Sequence, residues 1–186
     1  AGVRVNERSS VLDELPGELL MWVLIASELL VFGAGLCAFL AVRVTDPAGF
    51  AAAQLQLHGA AAGVNTLLLV TSGYTAALAV RASGTDGRRA RLLLCLTGAL
   101  GVAFLVIKGI EFRAEADRGI GVETHPFFTF YFLLTGFHAA HVVAGLVILG
   151  IVGWRLTPHN AEVGVAFWHM VDLVWVLLFP VIYLVR

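Results

Sequence analysis

Apolar residues gather into five long runs, approximately residues 17–42, 59–80, 90–112, 126–154 and 162–185. About 20 apolar residues in a helix cross the roughly 30 Å of hydrocarbon in a bilayer, so each run is long enough to span one. Polar or Gly/Pro-containing connectors separate them: Thr45-Asp46-Pro47, the stretch Ser83-Gly84-Thr85-Asp86-Gly87, the segment around Asp117-Arg118-Gly119, and Thr157-Pro158-His159-Asn160. Pro16 and Pro126 stand at helix entrances, where a missing N–H costs least. Barrel strands would need segments of about 10 residues with strict alternation, and no run alternates. The pattern predicts an all-α integral membrane bundle of five transmembrane helices, forming one domain over residues 1–186.

Composition strengthens this reading. The 186 residues are 59% hydrophobic and 13% charged, against roughly 25% charged in a soluble domain. The net charge of −1 comes with no basic cluster of the kind that binds nucleic acid. Cys37 and Cys95 lie inside apolar runs with no Cys-x-x-Cys pair and read as small buried hydrophobes. The first apolar run is too long for a secretory signal and is expected to remain as a helix. Arginines set the direction. The amino-terminal tail and the second and fourth loops carry Arg4, Arg8, Arg81, Arg88, Arg89, Arg91 and Arg155; Arg43, Arg113, Arg118 and Arg186 lie opposite. The positive-inside rule then puts the amino terminus in the cytoplasm and the carboxyl terminus outside, in a bacterial inner membrane.

Ionisable residues within spans are expensive and face protein or water. Glu28 in the first helix, His138 and His141 in the fourth, and His169 and Asp172 in the fifth all fall near the midplane. Periodicity puts Thr135, His138, His141 or Val142, and Gly145 on one face of the fourth helix, and Glu162, Ala166, His169, Asp172 and Val176 on one face of the fifth. Gly136, Ala140 and Ala144 form a small-residue stripe that would admit a close neighbour. Asn65, Thr66, Thr71, Ser72 and Thr75 give the second helix groups that can bond across helices.

Two readings stand for each polar group. His138 and His141, at i, i+3, could share a metal or flank a haem, or be packed histidines bonded to neighbouring helices. Glu28 is either a proton-relay carboxylate or a structural acid bonded to a neighbouring helix. His169 and Asp172 can pair along one helix, and Lys108 and Glu111 are expected to snorkel and pair at the outer end of the third. Trp22, Trp154, Trp168 and Trp175 read as packing residues or interfacial anchors. No nucleophile with a base, phosphate loop or complete metal-ligand set is present, so the sequence assigns no catalytic, cofactor-binding or metal residue.

Three stretches taken together resemble subunit III of the haem–copper oxidase family. They are WVLIASELLVF at residues 22–32, FFTFYFLLTGFHAAHVVAG at 127–145 and FWHMVDLVW at 167–175. Asn65-Thr66 and KGIEF at 108–112 agree more weakly, since the family usually has Gln where Lys108 stands. The resemblance runs from about Leu15 to Tyr183 and implies a subunit that carries no haem, copper or iron itself. Such a subunit packs beside a catalytic, haem-bearing membrane subunit holding haem with copper or non-haem iron. It implies that Glu28 matches the family's carbodiimide-reactive acid and that the chain corresponds to the last five helices of a seven-helix form. In oxidases the family's subunit III supports proton uptake and protects the catalytic subunit during turnover. Bound phospholipid remains an option, although the long form's lipid-filled cleft involves the two helices without counterpart.

Within the family, Leu15-Pro16-Gly17-Glu18 and Glu123-Thr124-His125-Pro126-Phe127-Phe128 look more like the subset associated with nitric oxide reductase. The alternative is a short subunit III of a cytochrome c or quinol oxidase. Outside the family, a free-standing proton or ion carrier built on Glu28 and Asp172, and a haem-binding anchor using His138, His141 and His169, are the other readings.

Overall fold

The computed structural model describes residues 19–185; Arg4, Arg8, the Leu15-Pro16-Gly17-Glu18 motif and Arg186 lie outside them. Six helices occur among these residues: α1 (Leu19–Thr45), α2 (Pro47–Gln54), α3 (Gly59–Ser83), α4 (Gly87–Asp117), α5 (Pro126–Trp154) and α6 (Pro158–Phe179). All but α2 are long and apolar enough to cross a membrane, α6 together with the turn that follows it.

Local chemistry sets the helix ends. The side chains of Asp46, Asp86, His125 and Thr157 accept from the N–H groups of Gly49, Arg89, Phe127 and Asn160 at the starts of α2, α4, α5 and α6. Pro47, Pro126 and Pro158 take first-turn positions, where no N–H partner is needed. α4 closes on Gly119 at φ 75°, with Gly119 N–H bonded to Ala116 O and Ile120 N–H to Glu115 O. That is a Schellman arrangement, with buried Ile120 as its apolar lock. At Pro180 the ring removes the next donor of α6, and the chain widens into a π-helical turn, Pro180–Leu184.

The sequence pattern takes residues 43–58 as a connector, but α2 forms there. Phe50 anchors it, with its ring 5.5 Å from Phe39 of α1 and 5.8 Å from Phe127 of α5. α4 is longer at both ends than its apolar run, because Asp86 caps it early and charged residues extend it past Phe112.

Contacts between distant segments collect at the two ends of the bundle. At one end Gln54 donates to Ile182 O, Arg118 to Gln56 O and Arg43 to Val185 O. At the other, Arg91 donates to Gly153 O. α1, α4 and α6 therefore run one way, α3 and α5 the other.

α6 is the most buried span and α1 the least. Trp168 of α6 lies at the centre. A Cβ built on Gly101 of α4 would fall 2.6 Å from its ring, and one on Gly145 of α5 2.7 Å, so both glycines exist to seat the indole. Its N–H donates to Ser72 Oγ of α3 at 3.0 Å, joining four helices through one side chain. In a bilayer the indole stabilises the bundle by close packing and by this interhelical hydrogen bond rather than by removal from water, and the bonded N–H avoids a polar cost.

Two sequence features sit differently in the packing of this chain. Gly136 of the expected small-residue stripe has nothing within 4 Å of a built Cβ, and Ala140 and Ala144 are exposed. Close approach within the chain occurs at Gly35, Gly73, Gly101, Gly145 and Gly164, against the side chains of Leu134, Asp172, Trp168 and Val152. Cys37 and Cys95 are exposed on the outside of the bundle, not buried. An apolar run does not distinguish a lipid-facing position from a core one.

Candidate functional site

The polar groups within the spans form separate clusters. In the first, Lys108 of α4 is enclosed at 1% exposure, so it does not snorkel as expected, although it does pair with Glu111. Its ammonium donates to Tyr183 Oη at 2.6 Å and Glu111 Oε2 at 3.0 Å. The hydroxyls of Tyr131 (α5) and Tyr183 both donate to Glu111 Oε1, at 2.9 and 2.8 Å. Rings of Phe112, Tyr131, Trp175 and Tyr183 surround the ammonium, with centroids 5.0–5.5 Å away. One positive and one negative charge are thus fully bonded inside an aromatic box. Such a box ties α4 to α5 and α6 and leaves no open valence for a ligand.

The second cluster joins α1 to α5. Glu28 Oε2 lies 3.1 Å from His141 Nε2, both side chains mostly buried. His141 Nδ1 sits 2.9 Å from the carbonyl of Phe137. A carbonyl only accepts, so Nδ1 carries a proton and Nε2 faces the acid.

His138 points elsewhere. Its ring packs 5.5 Å from Phe104 and 5.2 Å from Trp175, and neither nitrogen has a hydrogen-bond partner. The two histidines therefore do not converge, and Val142 rather than His141 continues the buried face of α5 through Thr135, His138 and Gly145. Among the described residues no three His, Cys, Asp or Glu side chains come together as a metal site.

The third cluster lies on α3 and α6. Thr66 accepts the Trp175 indole N–H at 3.0 Å, and Thr75 and Thr97 share a bond of 2.8 Å across α3 and α4. Asn65 is fully buried with both amide atoms unpartnered. Asp172 is buried while His169, one turn away, is exposed; their nearest atoms are 4.0 Å apart. The expected common face of Glu162, Ala166, His169, Asp172 and Val176 is mostly the outer surface of α6, from which Asp172 turns inward.

At the end bearing α2, polar groups without an apolar pattern to mark them make a further network. His125 Nδ1 accepts from Phe127 N–H at 3.1 Å, so its Nε2 carries the proton directed at Asp46 Oδ2, 3.2 Å away. One imidazole thereby links the caps of α2 and α5. The Gly49 N–H, together with His125, holds the Asp46 carboxyl below the usual carboxylate range. Glu115, fully buried, pairs with Arg118 at 3.2 Å, and Arg118 reaches Gln56 O. The sequence marks Asp46 before Pro47 and His125 before Pro126 as parts of this network; Glu115 and Gln54 carry no such mark.

Trp168 and Trp175 are core residues, whereas Trp22 and Trp154 are exposed near span ends, as interfacial anchors are.

The family model described as "Cytochrome c oxidase subunit III" matches residues 10–185. "Cytochrome c oxidase subunit 3" of Corynebacterium diphtheriae is 35% identical over 66% of this chain, and the match spans 64% of that relative's length. The protein of the same description from Alkalihalophilus pseudofirmus is 32% identical over 88% of this chain and 84% of its own length. The "Heme-copper oxidase subunit I+III" of Aeropyrum pernix is 29% identical over 89% of this chain but only 22% of its own length.

Proposed function

Because the chain belongs to the cytochrome c oxidase subunit III family, we propose that it is an accessory, non-redox membrane subunit that stabilises a haem-bearing catalytic subunit of the haem–copper oxidase superfamily. One observation carries the reading. Two of the three stretches behind the resemblance, 127–145 and 167–175, supply much of the packing core: Gly145 seats Trp168, and His138 and Trp175 pack on Phe104. They fix the shape of a bundle rather than the contents of a pocket. The Aeropyrum relative's description, subunit I+III, supports the pairing with a catalytic subunit.

The partner we assign is a nitric oxide reductase, on the strength of Leu15-Pro16-Gly17-Glu18 and Glu123-Thr124-His125-Pro126-Phe127-Phe128. The second motif surrounds the His125 cap at the entrance of α5. A short oxidase subunit III is the second reading, favoured by relatives described as subunits of cytochrome c oxidase. Deleting the chain should leave the catalytic haems in place but lower assembly yield or lifetime in turnover. Unchanged yield and durability would defeat the accessory role. Assaying the co-purified complex for nitric oxide and oxygen consumption separates the two partners.

A further inference from the structure

Where α5 turns into α6, a groove of about 380 Å³ has two ends of different chemistry. Ile148 and Val152 of α5 with Val163 and Gly164 of α6 line its deeper part, and Arg155, His159 and Asn160 line its mouth. Gly164 sets the floor. A Cβ built there would fall 2.6 Å from Val152 Cγ2 and 3.3 Å from Ile148 Cγ2, so α6 lies directly on α5. A second hollow, about 290 Å³, is lined by Ile151, Trp154 and Arg155. Ile151 and Arg155 line both, so the two hollows meet at one isoleucine and share one arginine.

The turn itself holds Arg155 at this mouth. Asn160 Nδ2 donates to the Arg155 carbonyl at 2.8 Å, and Thr157 Oγ1 accepts the Asn160 N–H at 3.1 Å. The exposed Arg155 guanidinium has no ion pair or hydrogen bond among the described residues. A second guanidinium stands close by, because Arg91 Nε donates to Gly153 O at 3.1 Å. Ile148 lies about 10 Å along α5 from Arg155, within the roughly 15 Å of hydrocarbon in one leaflet. Exposed Trp154 marks the level of the interface. Positive charge thus sits at the membrane surface with apolar lining below it, the order in which a phospholipid carries its phosphate and its chains. A transmembrane helix laid here would cover the apolar part and leave the guanidinium unmatched. We propose that the α5/α6 groove binds one anionic phospholipid, its phosphate on Arg155 and one acyl chain in each of the two hollows that meet at Ile151. The planar guanidinium fork matches a phosphate, and the charge of Arg91 favours an anionic headgroup over a zwitterionic one. This site goes beyond the accessory-subunit reading and is the same whichever catalytic subunit the chain accompanies.

The test uses the full tagged chain, with the subunits that accompany it, washed free of native lipid in detergent and titrated by native mass spectrometry. Dioleoylphosphatidylglycerol should bind about fivefold more tightly than dioleoylphosphatidylcholine, the effect of about one surface charge contact. Arg155→Ala should weaken phosphatidylglycerol binding about tenfold, the loss of one charge-assisted hydrogen bond, and Arg155→Lys should weaken it less. Val163→Trp, which fills the groove and keeps the arginine, should weaken both lipids. Arg113→Ala, at the opposite end of the bundle, should leave both affinities unchanged. Binding indifferent to Arg155→Ala and to Val163→Trp would mean only the boundary lipid that any span attracts, and would overturn the site. Equal affinity for the two lipids would overturn it as well.

Discussion

Nε2 of His141 on α5 lies 3.1 Å from Oε2 of Glu28 on α1, and the His141 Nδ1 proton is already committed to the Phe137 carbonyl. The contact is one of distance, 3.1 Å, and Glu28 Oε2 is otherwise without a hydrogen-bond partner. α1 is the least buried span, and this pair, the ring contacts of Phe32 and Phe39 and the Arg43 bond to Val185 O help fasten it.

For a structural Glu28, Glu28→Gln keeps a donor for His141 Nε2 and should preserve fold and complex. Glu28→Ala strands the imidazole and should cost about 1–3 kcal/mol in stability. A proton relay ranks the symptoms differently: Gln would assemble normally yet impair turnover as severely as Ala. Complex yield and turnover of both variants decide. If both match the unaltered chain, neither role for Glu28 survives.

Lys108→Met should destabilise the chain by about 3–5 kcal/mol, because it leaves the Glu111 carboxylate buried without its cation. Lys108→Gln, which can still donate to Glu111, should cost less. The double variant Lys108→Met with Glu111→Leu should recover part of the loss, since it removes both charges together. Thermal unfolding in detergent measures all three. Equal stability of Lys108→Met and the unaltered chain would refute the buried pair.

Gly145→Ala places a methyl 2.7 Å from the Trp168 ring and should cost about 1–3 kcal/mol by overpacking. Gly136→Ala, with nothing within 4 Å, should be neutral or slightly stabilising. The reverse order in an unfolding series would show that the small-residue stripe, and not the tryptophan seat, sets the packing.

The sequence discloses the spans well, because length and hydropathy are one-dimensional properties and Pro126 and Asp86 mark helix entrances directly. Which face of each span turns inward is less legible. In a membrane the outside is as apolar as the core, so Gly136 and Gly145 look alike in sequence, as do the cysteines and the buried aliphatics. Lys108 is hard to place for a related reason. Its partners Tyr131 and Tyr183 are 23 and 75 residues away, and only the fold shows that they close a box around it. α2 was hidden because one aromatic residue, Phe50, supplies its anchorage.

The arginine bias predicts the orientation. In a background with Cys37 and Cys95 replaced, single cysteines at Ser83 and Gly121 should label from opposite membrane faces, Ser83 from the cytoplasm. Gly121 has open space around it, so the substitution is tolerated. Labelling of both from one face would break the five-span topology, and Ser83 labelling from outside would reverse the orientation.

The central claim is that this chain serves a larger haem-bearing subunit, and its most direct test is purification of the tagged chain from native membranes in mild detergent. The account predicts a haem Soret band and a larger membrane subunit in fixed stoichiometry with the chain, both absent when the tag is carried by an unrelated membrane protein. A chain that elutes alone and without haem, while an active catalytic complex is recovered intact from the same membranes, would contradict it.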